Sequence, residues 1–129
     1  MNILIIGPPG VGKGTQAKLI KNKLGIIHLS TGEILRKEIE NKTETGTEAK
    51  FYIDKGEFIP DITILEIIQR RIACSDCSNG YILDGFPRTL PQAIGLDKIV
   101  TKLKQNLDIA ISLTADEKIL EKRLIERSL

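Results

Sequence analysis

The stretch NILIIGPPGVGKGT, residues 2–15, combines two features that together decide the fold. Residues 2–6 form an almost wholly apolar run closed by Gly7, which is typical of a strand buried on both faces of a parallel sheet. Residues 7–15 then match the pattern G-x-x-x-x-G-K, whose glycines let backbone N–H groups turn inward around a phosphate. A helix beginning at Lys13 would bring its positive N-terminus to the same point. The stretch therefore predicts a strand, a phosphate-binding loop and a helix.

One position of this loop departs from the usual pattern. Gly14 stands where Ser or Thr commonly follows the lysine, and Thr15 comes one residue later. The hydroxyl at that place normally ligates Mg²⁺, so Thr15 is the nearest substitute. Lys13 is expected to reach the β and γ phosphates of a nucleotide. The alternative is a plain Gly-Pro turn between strand and helix.

Composition restricts the class of protein. The chain has 129 residues, 41% of them hydrophobic, which suits one domain with one core. Nineteen basic and 17 acidic residues give a net charge of +2, too small to indicate a nucleic-acid surface. Two cysteines are too few for a disulfide scaffold, and the N-terminal apolar run is too short for a signal core or a membrane span. We expect a cytoplasmic protein that binds neither nucleic acid nor membrane.

Hydrophobic periodicity predicts that strands alternate with helices. We expect strands at 2–6, 26–30, 81–84 and 108–113, and helices at 13–24, 31–41, 48–56, 61–72 and 91–103, with a last helix opening at 114–117. This alternation indicates the α/β class with a doubly wound parallel sheet of four strands. Residues 30–59 hold two helices and no strand, which predicts a helical lobe inserted into a core of 1–29 and 60–129.

Local signals add detail to this assignment. The sequence STGE, residues 30–33, fits a capping box with Ser30 at the cap, and Asp61 is expected to cap the helix that follows it. Pro91 suits the first turn of a helix. The stretch KTETGT, residues 42–47, is interpreted as a loop.

The segment YILDGFPRTLPQA, residues 81–93, carries polar groups directly after a strand. Asp84 ends that strand at the edge where α/β sheets bind ligands, and its carboxylate could hold Mg²⁺ through water. Arg88 offers a planar fork suited to phosphate. Gln92 has a donor and an acceptor side by side, which can match an adenine edge. The alternative is a surface turn with a solvated arginine.

Four blocks together resemble the adenylate kinase family of nucleoside monophosphate kinases: GPPGVGKGT, LSTGEILR, GEFIPD and ILDGFPRTLPQA. They occur in the family's order and spacing over residues 1 to 92, and LEKRLIER at 120–127 is a weaker match. The resemblance implies a P-loop NTPase-type fold in which residues 30–59 are the mobile lobe that binds AMP.

The resemblance also implies roles for particular residues. It implies ATP contacts from Gly10, Val11, Gly12, Lys13, Gly14, Thr15, Arg123 and Arg127. It implies AMP contacts from Thr31, Gly32, Arg36, Glu57, Phe58, Ile59, Gly85, Phe86, Arg88 and Gln92. The implied catalytic residues are Lys13, Arg36, Arg88 and Arg127, with Mg²⁺ bound to Asp84 through water and to Thr15. Thr31 and Gln92 are the family's choices for adenine over pyrimidine acceptors, whereas the donor could be ATP or GTP.

The implied reaction is ATP + AMP ⇌ 2 ADP, which balances the adenine nucleotides. Family members continue beyond RLIERSL with an ATP lid, so we expect this chain to lack the lid, and a nucleotide-binding module with little turnover is the alternative. A GTPase-like switch is a third hypothesis, disfavoured because NKTE at 41–44 has Glu where Asp is needed. We expect a monomer unless an exposed sheet edge pairs.

Two further features have simpler interpretations. A single Cys74-x-x-Cys77 pair without a second pair or a nearby histidine does not indicate a zinc site, so no zinc is expected. His28 falls within an apolar strand and is interpreted as packed rather than catalytic.

Overall fold

The computed structural model describes residues 1–8 and 12–113. Four strands lie in these ranges: β1 (Asn2–Ile6), β2 (Ile27–Ser30), β3 (Tyr81–Asp84) and β4 (Ile109–Ser112). The helices are α1 (Lys13–Leu24), α2 (Thr31–Glu40), α3 (Glu44–Asp54), α4 (Asp61–Ile72) and α5 (Leu90–Lys102), with a 3₁₀ turn at Ser75–Cys77. The last predicted helix, Gly10, Val11, Arg123 and Arg127 fall outside the described residues.

The four strands form one parallel sheet in the order β2-β3-β1-β4. The chain leaves β1 for the far strand β2 and returns to β3, which lies between them. In register, Ile5 of β1 and Ser30 of β2 both pair with Asp84 of β3. The ends of these strands therefore meet at one edge, next to the loop that follows β1, which is where open α/β sheets bind ligands.

The inner strands β1 and β3 pack against helices on both faces, since their alternate residues point to opposite sides of the sheet. Leu4, Tyr81 and Leu83 belong to one core with residues of α2, α4 and α5. Ile5 and Ile82 belong to a second core with residues of α1. Two cores on two faces confirm the prediction of a doubly wound parallel sheet.

The start of α3 corrects one prediction. The stretch 42–47 was expected to be a loop, but α3 begins at Glu44. Thr43 is the N-cap, and its hydroxyl accepts a hydrogen bond from the N–H of Gly46 at 2.9 Å. The polar, Gly-containing composition resembles a turn, and the same threonine that favours turns also starts helices. Residues 31–54 do contain two helices and no strand, while their role as an AMP-binding lobe stays a prediction.

Two capping predictions are also corrected. Ser30 does occupy the N-cap of α2, but its side chain makes no capping hydrogen bond. Asp61 is the first helical residue of α4, and Pro60 takes the N-cap position. The carboxylate of Asp61 is therefore available for a different partner, described below. Pro91 lies in the first turn of α5, as predicted.

No helix within residues 1–8 and 12–113 is long and apolar enough to cross a membrane.

Candidate functional site

Asp84 is the centre of the polar contacts at the end of β3. Its carboxylate Oδ2 lies 2.9 Å from His28 Nε2, and its Oδ1 forms an ion pair with the ammonium of Lys13. The hydroxyl of Thr31 donates to the backbone carbonyl of Asp84 at 2.9 Å. Residues from α1, β2 and α2 thus meet on one strand end, because β3 lies between β1 and β2.

The Lys13–Asp84 pair is poorly solvated. The two side chains are 17% and 10% exposed, so water screens their attraction less than at an open surface. Lys13 is in the first turn of α1, directly after the phosphate-binding loop. The ammonium therefore neutralises the charge of Asp84 at the point where the phosphate-binding loop meets α1.

The contact of His28 with Asp84 was missed in the sequence interpretation, which treated this histidine as packed. The ring is half-buried and its Nε2 faces the carboxylate. The available signal was the alternation within β2, since Leu29 points into one core and His28 must point to the other face.

Gly85 leaves a small space beside this pair. Its φ is +88°, a left-handed conformation that favours glycine. A Cβ placed there would lie 3.5 Å from Arg88 Nη2, 3.7 Å from Thr31 Oγ1 and 3.9 Å from Lys13 Nζ. The bare α-carbon therefore faces a space bordered by two cationic groups and one hydroxyl, a combination suited to phosphate oxygens.

Arg88 is held in place by the backbone around it. Its Nε donates to the carbonyl of Gly85 at 2.9 Å, which fixes the guanidinium while the side chain stays exposed. Arg36 lies on α2, where a Cβ on Gly32 would be 3.5 Å from Arg36 Nη1. Within residues 1–8 and 12–113, Arg36 forms no ion pair with an acidic side chain. Both arginines are thus available to an anionic ligand.

Gln92 is buried, with 7% of its surface exposed, and both ends of its amide are engaged. Its Oε1 accepts from the backbone N–H of Arg88 at 2.8 Å, and its Nε2 donates to Asp61 Oδ1 at 2.9 Å. The sequence interpretation gave Asp61 only a capping role and missed this contact between α4 and α5. No local pattern signals it, since the two residues are 31 positions apart.

The other residues predicted to contact AMP differ in how far their side chains are exposed to solvent. Phe58 follows α3 and is 99% exposed, and its neighbour Glu57 is exposed too. Ile59 is half-buried. Phe86, in contrast, is 1% exposed and lies in the core together with residues of α4 and α5. Phe58 is therefore exposed to solvent, whereas the side chain of Phe86 is part of the hydrophobic core.

The start of α1 carries backbone N–H groups that no side chain caps in the described part of the chain. Gly12 is its N-cap, with φ +83°, and provides no side-chain capping bond. Gly14 and Thr15 follow in the first turn and are exposed. The N–H groups of an uncapped first turn, together with the helix dipole, favour an anion at this place.

Asp84 also has the chemistry to hold a hydrated Mg²⁺ ion. It is 8% exposed, and its Oδ1 makes no hydrogen bond within the described part of the chain apart from its contact with the Lys13 ammonium. A carboxylate oxygen beside a phosphate-binding loop suits an ion that keeps several of its waters. Thr15 is exposed in the neighbouring helix turn. Residues 1–8 and 12–113 contain no cluster of three or more His, Cys, Asp or Glu side chains suited to a metal.

The two cysteines lie away from this site, in the turn that precedes β3. Cys74 is exposed and Cys77 is buried, and burial raises the pKa of the Cys77 thiol to about 11. Arg71 forms two hydrogen bonds of 2.8 Å to Asp76, which lower the pKa of that carboxyl to about 2. These contacts fix the turn between α4 and β3.

The fold and site define a class of proteins. A central parallel strand leads into a G-x-x-x-x-G-K loop and a helix, and the lysine of that loop contacts an acidic residue at the end of the neighbouring strand. This arrangement is that of an α/β phosphate-binding-loop protein. The family model described as adenylate kinase matches residues 5–128, and the chain belongs to the adenylate kinase family.

Curated relatives agree with this membership. The chain is 49% identical over 127 residues to the adenylate kinase of Methanothrix thermoacetophila, and 48% identical over 127 residues to that of Clostridium tetani. Each match covers 98% of this chain and 59% of the relative. The adenylate kinase of Caldicellulosiruptor saccharolyticus is 48% identical over 123 residues, which cover 95% of this chain and 57% of the relative. The chain thus spans slightly more than half the length of these relatives.

Proposed function

We propose that this chain transfers a phosphoryl group reversibly from ATP to AMP, giving two ADP. The observation that carries the proposal is the space at Gly85, bordered by Lys13, Thr31 and Arg88 at the sheet edge next to the phosphate-binding loop. Two phosphate-bearing substrates need more than one cationic group at one point, and Lys13 and Arg88 both border this space. The names of the relatives support the same reaction.

The proposed chemistry relies on positioning and charge neutralisation. The phosphate of AMP is already an anionic nucleophile near neutral pH, so the reaction requires no general base. Lys13 would contact the β and γ phosphates of ATP, and Arg36 and Arg88 the phosphate of AMP. An arginine placed at the transferring group is worth about 10³ to 10⁵ in rate. Arg127, the fourth proposed catalytic residue, lies outside the described residues, as does Arg123.

Mg²⁺ would be held by Asp84 through water, with Thr15 as a second proposed ligand. When bound with ATP, the ion would neutralise charge on the β and γ phosphates. In its absence Lys13 holds the Asp84 carboxylate in a neutralised pair at this position. His28 Nε2 lies 2.9 Å from the other carboxylate oxygen, and an N–H at this position donates to it and so limits the rotation of the carboxylate.

The adenine of AMP would lie between the lobe of residues 30–59 and the start of α5. Phe58 is the exposed ring that a base could stack on, and Gln92 presents an amide to its polar edge. Glu57, Ile59, Gly32 and Phe86 complete the proposed AMP contacts. A monomeric state and a cytoplasmic location stay predictions from the sequence.

Phosphorus NMR on the chain with Mg²⁺, ATP and AMP tests the proposal, with UMP as the control acceptor. We expect ADP with AMP and little with UMP. Lys13→Met should lower the rate by about 100-fold or more, because transition-state charge stabilisation of this kind is worth that much. Lys18→Met is the matched control, since Lys18 is an exposed lysine on the same helix. Equal rates for both variants would contradict the assigned role of Lys13.

Nucleotide binding with little turnover is the second candidate function. It is supported by the phosphate-binding loop and by the Lys13–Asp84 contact at the sheet edge, which suit nucleotide binding whether or not phosphoryl transfer follows. A folded chain that binds ATP and AMP but forms no ADP would support it. A folded chain that binds neither nucleotide would refute both functions.

A further inference from the structure

The amide of Gln92 is held in one orientation by two partners whose roles are fixed. The N–H of Arg88 can only donate, so it must face Oε1, and the carboxylate of Asp61 receives the Nε2 hydrogen. A rotation of the amide by 180° would place the NH₂ against the Arg88 N–H and the C=O against the Asp61 carboxylate. Both contacts would then be repulsive, so the amide is locked.

The packing of α4 against α5 holds Asp61 and Gln92 at a fixed separation. Gly95 of α5 lies so close to α4 that a Cβ there would be 2.5 Å from Leu65 Cδ1. Thr89 caps α5, and its hydroxyl accepts from the backbone N–H of Gln92 at 3.3 Å. The distance between Asp61 and Gln92 is thus set by helix packing as well as by their hydrogen bond.

Each end of the locked amide keeps one unused position. Oε1 has a second lone pair and Nε2 a second hydrogen, and neither has another partner within residues 1–8 and 12–113. A base that offers a donor next to an acceptor fits this remaining pair. Adenine does so with N6–H₂ and a ring nitrogen, whereas hypoxanthine places the carbonyl O6 where adenine has its donor.

We propose that Asp61 is a specificity-determining residue: by fixing the Gln92 amide, it makes the acceptor site select a 6-amino purine over a 6-oxo purine. The proposal rests on the proposed function, because it takes the site next to Gln92 as the acceptor-base site. Asp61 acts through Gln92 and needs no contact with the nucleotide itself. It is therefore a positioning residue.

Asp61→Asn is the variant that tests this role. The asparagine amide can present either its oxygen or its nitrogen, so it tolerates both orientations of Gln92. A 6-oxo purine would then no longer require a repulsive contact at residue 61. Only the Arg88 N–H would still favour the original orientation.

Glu44→Gln is the matched control. Glu44 and Asp61 are both acidic residues in the first turn of a helix, α3 and α4 respectively. Glu44 is exposed and makes no contact with Gln92. Both variants lose one negative charge at a helix N-terminus, a change that affects stability modestly. Thermal unfolding of both variants checks this equivalence.

The experiment is an NMR titration of the wild-type chain and both variants with AMP and with inosine 5′-monophosphate, which differ at position 6 and the adjoining ring nitrogen. We expect the wild type and Glu44→Gln to bind AMP more tightly than inosine monophosphate. In Asp61→Asn the ratio of the two Kd values should shrink at least about fivefold, because the variant relieves one unsatisfied buried polar contact with the 6-oxo purine. A merely structural role of Asp61 would weaken both ligands equally and leave the ratio unchanged, which would overturn the inference.

The remaining outcomes separate this inference from the proposed function. A wild-type chain that binds AMP and inosine monophosphate equally would overturn the inference and leave the proposed function standing. A folded wild-type chain that binds neither would overturn the proposed function, and the inference with it.

Discussion

Replacement of Gly85 by alanine separates the backbone cost of this position from its role in the site. The φ of +88° forces an alanine into the left-handed region, which costs about 1–2 kcal/mol of folding free energy. The new Cβ would lie 3.5, 3.7 and 3.9 Å from Arg88 Nη2, Thr31 Oγ1 and Lys13 Nζ. These are ordinary contact distances, so no protein atom must move and the variant should fold.

The same methyl group would fill the space assigned to phosphate. A phosphate oxygen could no longer approach two of these three groups at hydrogen-bond distance, and a charge-assisted hydrogen bond is worth about 1.5–3 kcal/mol. The loss of one such bond predicts that the Kd for AMP rises at least about tenfold. We expect this loss of affinity in addition to the loss of stability.

Gly25→Ala is the matched control for the backbone cost. Gly25 is the C-cap of α1 with φ +66°, and a Cβ there would meet nothing within 4 Å. Urea unfolding followed by circular dichroism should show similar destabilisation of both variants, whereas calorimetric titration with AMP should show weak binding only for Gly85→Ala. If both variants bind AMP as tightly as the wild type, the space at Gly85 does not hold phosphate.

Two further predictions concern the fold away from this site. Gly46→Ala should destabilise the chain by about 2–3 kcal/mol in urea unfolding, because its Cβ would lie 2.1 Å from the backbone oxygen of Glu38 and force α2 and α3 apart. Thr47→Ala, on the exposed side of α3, should change stability by less than about 0.5 kcal/mol, and equal effects would contradict this packing. In thiol labelling at pH 8, exposed Cys74 should react rapidly, whereas buried Cys77, with a pKa of about 11, has about one thiolate per thousand molecules and should react slowly until the chain unfolds. Raising the pH towards 11 should accelerate Cys77, and a pH-independent rate would contradict the raised pKa.

Much of the fold could be predicted because its signals are local. The apolar run of residues 2–6 and the periodicity of residues 13–24 each depend on neighbouring residues, and β1 and α1 were predicted at their observed places. The alternation of strands and helices then allows few topologies other than a parallel, doubly wound sheet. The predicted start of α3 was wrong because the composition of residues 42–47 suits both a turn and a capped helix start.

The candidate site also contains both features that the sequence predicts and contacts that it does not. The sequence by itself predicted that Asp84 lies beside the loop that contains Lys13, since parallel strands end at one edge of a sheet. The direct contact of the two side chains was seen only in the structure. The sequence did not determine that His28 faces Asp84 or that Asp61 holds Gln92. The first contact depends on strand register, and the second on how closely α5 approaches α4 at Gly95. Only the tertiary structure decides these contacts, because their distances are set by the packing of elements that are far apart in the chain.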